Sequence, residues 1–131
     1  MALQVTKTSG DSEGEITLFL DGSLDSNSSG QLDKEIEDAC SDGVRTLILD
    51  MGEVSFISST GIGVIIKTKE SLKKRNIEST LIHLQPQVKR VFEIMQLLPT
   101  LNVFASRSEL DEYLSKIQNR ILDEGSSLST Q

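Results

Sequence analysis

Three consecutive hydroxyl residues, Ser58, Ser59 and Thr60, stand directly ahead of Gly61-Ile62-Gly63 in the segment FISSTGIG. Ser and Thr just before a helix supply an oxygen to an unpaired backbone N–H, the capping role. One cap uses one hydroxyl, so the row holds more than capping needs. A hydroxyl can also accept a phosphoryl group. A phosphate on Thr60 would lie beside the free N–H groups and positive dipole end of the helix that follows. It would add about two negative charges to the surface. Gly61 and Gly63 each cost a helix roughly 1 kcal/mol against Ala, and they bare the backbone where another molecule can approach. Capping and phosphorylation both fit these residues.

No other set of residues offers chemistry. Cys40 and His83 are the only residues of their kinds, so no zinc-spaced cluster exists. Cys40 falls on the apolar face of a predicted helix and reads as a structural thiol. His83 is placed in a strand with no partner for a catalytic triad. Asp21, Asp25 and Asp50 read as solvated or capping acids rather than a magnesium site. With no catalytic set, metal, cofactor or Walker phosphate loop, the chain is expected to bind rather than to catalyse.

The elements that must position the hydroxyl row follow from periodicity. Leu3 and Val5 alternate with polar residues as a short strand, and Gly10 to Gly14 form a turn into a second strand, Ile16 to Leu20. Gly22 to Ser29 read as a loop, and Ser28 with Gln31 has capping-box spacing. Leu32, Ile36, Ala39 and Cys40 share a helical face, with Gly43 as the C-cap. Thr46 to Asp50 is a buried strand whose end runs into Met51 to Thr60. A helix is expected from Thr60 or Gly61 to Lys74, and a strand over Ile77 to Leu84. Pro86 opens a helix with Val88, Val91, Phe92 and Met95 on one face, and Pro99 stops it. Leu101 to Phe104 form a last strand. Ser106 and Glu109 make a second capping box, and Leu110, Tyr113, Leu114 and Ile117 the stripe of a last helix. Residues 123–131 are expected to be a disordered tail. The order ββαβαβαβα implies an α/β domain with a mixed, mostly parallel sheet of about five strands. In such sheets function gathers at the carboxyl ends of the strands, here Gly22 to Asp25 and Ser55 to Thr60.

Composition narrows the classes. At 131 residues the chain is one domain, 1–122, large enough for a core without disulfides. Twenty acidic residues against 13 basic ones give a net charge of −7, which argues against nucleic-acid or anionic-membrane binding. One cysteine and no signal-like or membrane-length apolar run point to a cytoplasmic protein.

The stretch from Thr46 to Lys74, TLILDMGEVSFISSTGIGVIIKTKESLKK, resembles the STAS domain family, and more narrowly the bacterial anti-sigma factor antagonists. The family pattern is an apolar strand ending in Asp, a loop of the form V-x-F-x-D-S-S/T-G-x-G, and a helix. Gly22-Ser23-Leu24-Asp25 resembles its G-x-L-D segment. The resemblance runs from Leu3 to about Ile117 and implies a single STAS-like domain. It also implies a partner switch. An anti-sigma factor kinase phosphorylates the hydroxyl before the first loop glycine, here Thr60, with Ser59 and Ser58 as alternatives. The unphosphorylated antagonist binds the anti-sigma factor and frees the sigma factor, and a serine/threonine phosphatase restores binding. Asp25, Ser58, Ser59, Gly61 and Ile62 become candidate partner contacts, Asp50 and Gly22 candidate loop supports, and the chain a monomer or weak dimer. The partner surface is expected over Ser58 to Gly61, Gly22 to Ser26 and the exposed side of the following helix, including Lys67 and Glu70. Ser58 stands where many members carry Asp. An alternative within the family is a STAS interaction subunit of a transport or stress-sensing complex, not controlled by phosphorylation. A receiver domain has similar alternation, but the first strand ends in Lys7-Thr8-Ser9, without the acidic pair that class needs.

Overall fold

The unbroken apolar run after Thr46 must be covered on both sides, and it opens the central strand of a five-stranded sheet. The computed structural model describes residues 3–9, 13–41, 43–98 and 101–116. Strand β1 (Gln4–Ser9) pairs antiparallel with β2 (Glu15–Leu24), the expected hairpin. Strands β2, β3 (Thr46–Ile57), β4 (Glu78–Ile82) and β5 (Val103–Phe104) run parallel, and the order across the sheet is β1-β2-β3-β4-β5. Helices α1 (Ser29–Ala39), α2 (Ser59–Lys74) and α3 (Pro86–Ile94) connect them, and a last helix, α4, is formed over 107–116. The element order is the one the periodicity predicts.

Strand alternation sorts the core into two layers. Leu18, Leu20, Leu47, Leu49 and Met51 pack with Leu32 and Ile36 of α1, Ile62, Ile65 and Leu72 of α2, and Val88 and Phe92 of α3. Ile48, between Leu47 and Leu49, points the other way and packs with Ile82 and Leu110, so α4 covers the opposite face. Tyr113 of α4 tilts against Phe104 with ring centroids 4.9 Å apart. At the start of α4, Arg107 Nη2 donates to Glu15 Oε2 at 2.6 Å, which pairs a buried carboxylate.

Several expected boundaries move. β2 and β3 both run past their expected ends, at Leu20 and Asp50, so Gly22-Ser23-Leu24 and residues 51–57 are strand rather than loop. Two register shifts between these strands let the polar stretch continue as sheet while Leu24, Val54 and Ile57 still reach the core. Gly22, at the second shift, has φ +124, which a side chain resists. The Ser28–Gln31 capping box does not form. Gln31 Nε2 donates to the Leu3 carbonyl at 2.7 Å, and the Ser28 side chain makes no cap bond. Gly43 is not the C-cap of α1, because the helix ends at Ala39 and Cys40 takes that position. Met95 is exposed rather than part of the α3 stripe, since that helix stops at Ile94. Pro99, Ile117 and the tail over 123–131 lie outside the described residues. Ser106 does cap α4, accepting the Glu109 N–H at 3.3 Å.

Leu110 is fully buried and anchors α4. Leu110→Ala should cost about 2–5 kcal/mol, read from urea unfolding. A loss under about 1 kcal/mol would show that α4 adds little to the second layer.

Candidate functional site

The hydroxyl row sits where β3 becomes α2, and a single residue, Ser58, forms the junction. Ser58 is extended, with φ −97 and ψ 171, and its Oγ accepts the Gly61 N–H at 3.2 Å. It is therefore the N-cap of α2, with its hydroxyl already engaged. Asp is as good an N-cap as Ser, so the replacement of the family's Asp at this position leaves the helix start intact. Ser59 and Thr60 follow as the first two helical residues, and both are exposed.

The two glycines are not equivalent. Gly61 is buried, and a Cβ there would lie 2.5 Å from the Leu24 carbonyl oxygen and 2.9 Å from Leu24 Cγ. The backbone that approaches Gly61 is thus the end of the chain's own β2. Gly63 is exposed, and a Cβ there would meet nothing within 4 Å. Ile62 is 2% exposed and belongs to the core. Gly61 and Ile62 are therefore packing residues, whereas Ser59, Thr60 and Gly63 are exposed.

The second expected segment reaches the same place. The Leu24 carbonyl accepts the Ser58 N–H at 2.9 Å, which ties the end of β2 to the start of α2. Asp25 follows at once, half-buried, and its Oδ1 accepts the N–H groups of Asn27 at 2.9 Å and Ser28 at 3.2 Å. Ser28 Oγ donates to the Ser23 carbonyl at 2.7 Å and accepts the Asp25 N–H at 3.0 Å. The carboxylate of Asp25 thus shapes the turn beside the hydroxyl row. Asp50 is elsewhere: it lies mid-strand, its Oδ1 accepts the Gly52 N–H and its Oδ2 meets His83 Nδ1, each at 3.0 Å. It braces Gly52 and the exit of β4, not the Ser58 junction. His83 lies just past β4 at φ +61 rather than within the strand, and Asp50 is the partner that the sequence did not reveal.

Phe56 is a surface feature that sequence reading missed. It is 54% exposed two residues before Ser58, and the register shifts upstream hide from sequence which of Phe56 and Ile57 turns inward. On α2, Thr60, Gly63, Lys67, Glu70 and Lys74 are all exposed, at spacings that share one side of a helix. Residues 8–33 and 46–66 contain no Lys or Arg, so the segments that build the site carry only negative charge. Cys40 is buried, and burial pushes its thiol up from the ordinary value while Arg75 partly offsets this. That keeps it in the unreactive thiol form. Among the described residues, no group of three or more His, Cys, Asp or Glu is placed to hold a metal ion, and no helix is long and apolar enough to cross a membrane.

The STAS domain model matches residues 3–110, which takes in the sheet, the Ser58 junction and the start of α4. The chain belongs to the STAS domain family. Among its relatives is BtrV of Bordetella bronchiseptica, assigned as an anti-sigma factor antagonist, 33% identical over 95 residues that span 72% of this chain and 82% of BtrV. The Bacillus cell fate determinant SpoIIAA, solved in its phosphorylated form, superposes with a TM-score of 0.62 at 21% identity, over 84% of this chain and 99% of SpoIIAA. The murine anion transporter Slc26a9 shares the same fold in part of its length: TM-score 0.67 and 20% identity over 88% of this chain, but 22% of the transporter. Within the family the chain groups with the anti-sigma factor antagonists, which are regulators.

The contrast between the glycines of this STAS domain is measurable by urea unfolding. Gly61→Ala should destabilise it by about 1–3 kcal/mol, because the clash with a backbone carbonyl outweighs the gain in helix propensity. Gly63→Ala should stabilise it by up to about 1 kcal/mol. Equal effects of the same sign would contradict the packing described for the start of α2.

Proposed function

We propose that this protein is an anti-sigma factor antagonist switched by phosphorylation of Thr60. In its unmodified form it binds an anti-sigma factor that is also its kinase, and a sigma factor is set free. Phosphorylated, it lets go, and a serine/threonine phosphatase resets it. It acts in the cytoplasm as a monomer or weak dimer, and supplies a surface rather than catalysis.

One observation carries this reading: the cap is made by Ser58, so the hydroxyl of Thr60 stands exposed on the first turn of α2 with no capping task. Thr60 is also the residue before the first glycine of the motif, the position the family resemblance marks for modification. Ser59 is the exposed alternative, and Ser58 is less suited because its oxygen already holds Gly61. In the transfer, the kinase brings ATP. Thr60 Oγ1 bonds to the γ-phosphorus, the bond to the leaving ADP oxygen breaks, and the hydroxyl proton passes to a base of the kinase. Hydrolysis of the phosphoester by the phosphatase restores the hydroxyl.

The fold tolerates the product. The first N–H groups of a helix lack intrahelical acceptors, and an anion beside them is favoured. The surface does change, because the phosphate adds about 1.5–2 negative charges. The segments that build the site hold no Lys or Arg to neutralise it. A partner closed over Ser59, Thr60 and Gly63 would have to desolvate that dianion, which is costly without a countercharge.

Peptide mass spectrometry on the protein from its native cells tests the site. Phosphate on Thr60 in part of the population is expected. Phosphate on Ser59 alone would move the switch by one residue, and none under any growth condition would favour the constitutive interaction subunit. Thr60→Ala should bind the anti-sigma factor and resist release by ATP. Thr60→Asp should weaken that binding by about tenfold with an unchanged Tm. Parent-like binding of Thr60→Asp would show that charge is not what releases the partner.

A further inference from the structure

Among the described residues, the second face of the sheet is covered over only half its length. Along β2, the residues on this face are Glu15 at 4% exposure, Thr17 at 6%, Phe19 at 43% and then the exposed Asp21. Coverage by α4 thus ends between Thr17 and Phe19. Around Phe19, β1 places Thr6 and Gln4 opposite Phe19 and Asp21, and β3 places Asp50 opposite Phe19 and Glu53 opposite Asp21. The uncovered area is an aromatic ring on open sheet, bordered by carboxylates. No Lys or Arg lies in residues 8–33 or 46–66, and the β1 residues next to it are neutral. Arg107 is committed to Glu15 at the covered end, and His83 to Asp50.

Two features of this face leave stabilisation unrealised in the isolated domain. Phe19 leaves much of a ring in water. Asp21 and Glu53 face each other across neighbouring strands, an arrangement that repels. A single kind of occupant relieves both. A guanidinium pairs with carboxylates through its planar fork and stacks on an aromatic face. We propose that the open half of this face is a docking surface for an arginine-bearing, partly apolar segment of a partner protein, with the arginine between Asp21 and Glu53 and over Phe19. The commitment to a basic partner rests on charge complementarity, since among the described residues the charged groups of this face that remain unpaired are acidic. The surface lies on the face opposite α2, so it is independent of the Thr60 switch and leaves the hydroxyl row free.

The test titrates the full-length, 15N-labelled protein with a short peptide of alternating arginine and leucine. The same peptide with citrulline in place of arginine serves as control. Saturable shifts centred on the amides of Thr6, Phe19, Asp21 and Glu53 are expected, with the citrulline peptide weaker by about fivefold or more. The Asp21→Asn, Glu53→Gln double variant should bind the arginine peptide about fivefold less tightly while its Tm rises, because the repulsion is removed. Phe19→Ser should weaken binding too, and Thr60→Asp should leave it unchanged. Shifts spread over acidic residues throughout the molecule, or centred on α2, would overturn the proposal. Shifts at Phe19 that depend on protein concentration without peptide would also overturn it, by identifying a second copy of the chain as the occupant.

Discussion

The contact between Leu24 and the start of α2 governs the rest of the structure. The Leu24 carbonyl accepts the Ser58 N–H, and the same oxygen lies where a Cβ on residue 61 would have to go. Glycine at 61 lets the helix settle on the end of β2, and Ser58 closes its first turn. Thr60 is thereby presented outward at a short, hydrogen-bonded junction, beside the Asp25–Ser28 turn. Its hydroxyl is fixed in place by the first turn of the helix rather than carried on a loop.

The two faces of the sheet have different duties. One carries α1, α2 and α3 over the larger core. The other carries α4 on a small cluster around Ile48, Ile82 and Leu110, held at its start by Arg107 and the buried Glu15. Among the described residues this second layer covers only part of the face, and the β2 residues on it pass from buried Glu15 and Thr17 to exposed Phe19 and Asp21. The hydroxyl row lies at the end of the sheet on the α2 side. The exposed hydroxyl row and the exposed Phe19 thus lie on opposite sides of the sheet.

Much of this was legible in the sequence. The element order follows from apolar periodicity, and the hydroxyl–glycine row marks the junction by composition alone. Pro86 opens α3 as its fixed φ requires. What failed were the local signals that tertiary contacts override. Gln31 leaves its capping position and donates instead to the Leu3 carbonyl, just ahead of β1. Met51 to Ile57 read as loop because Gly52 and Glu53 interrupt the apolar run, yet pairing with the extended β2 keeps them in the sheet. Met95 had the right spacing, but the helix ended before it.

The sequence by itself determined that three hydroxyls precede two glycines at a strand-to-helix transition in an acidic α/β domain, because residue type and spacing are local properties. Only the tertiary structure decided which hydroxyl is spent on the cap, which glycine is needed for packing, and that Asp25 but not Asp50 shapes the turn at the site. It alone showed Phe19 uncovered and Asp21 facing Glu53. These outcomes depend on strand register and on how far one helix extends over a sheet, and both are set by contacts between residues far apart in the chain.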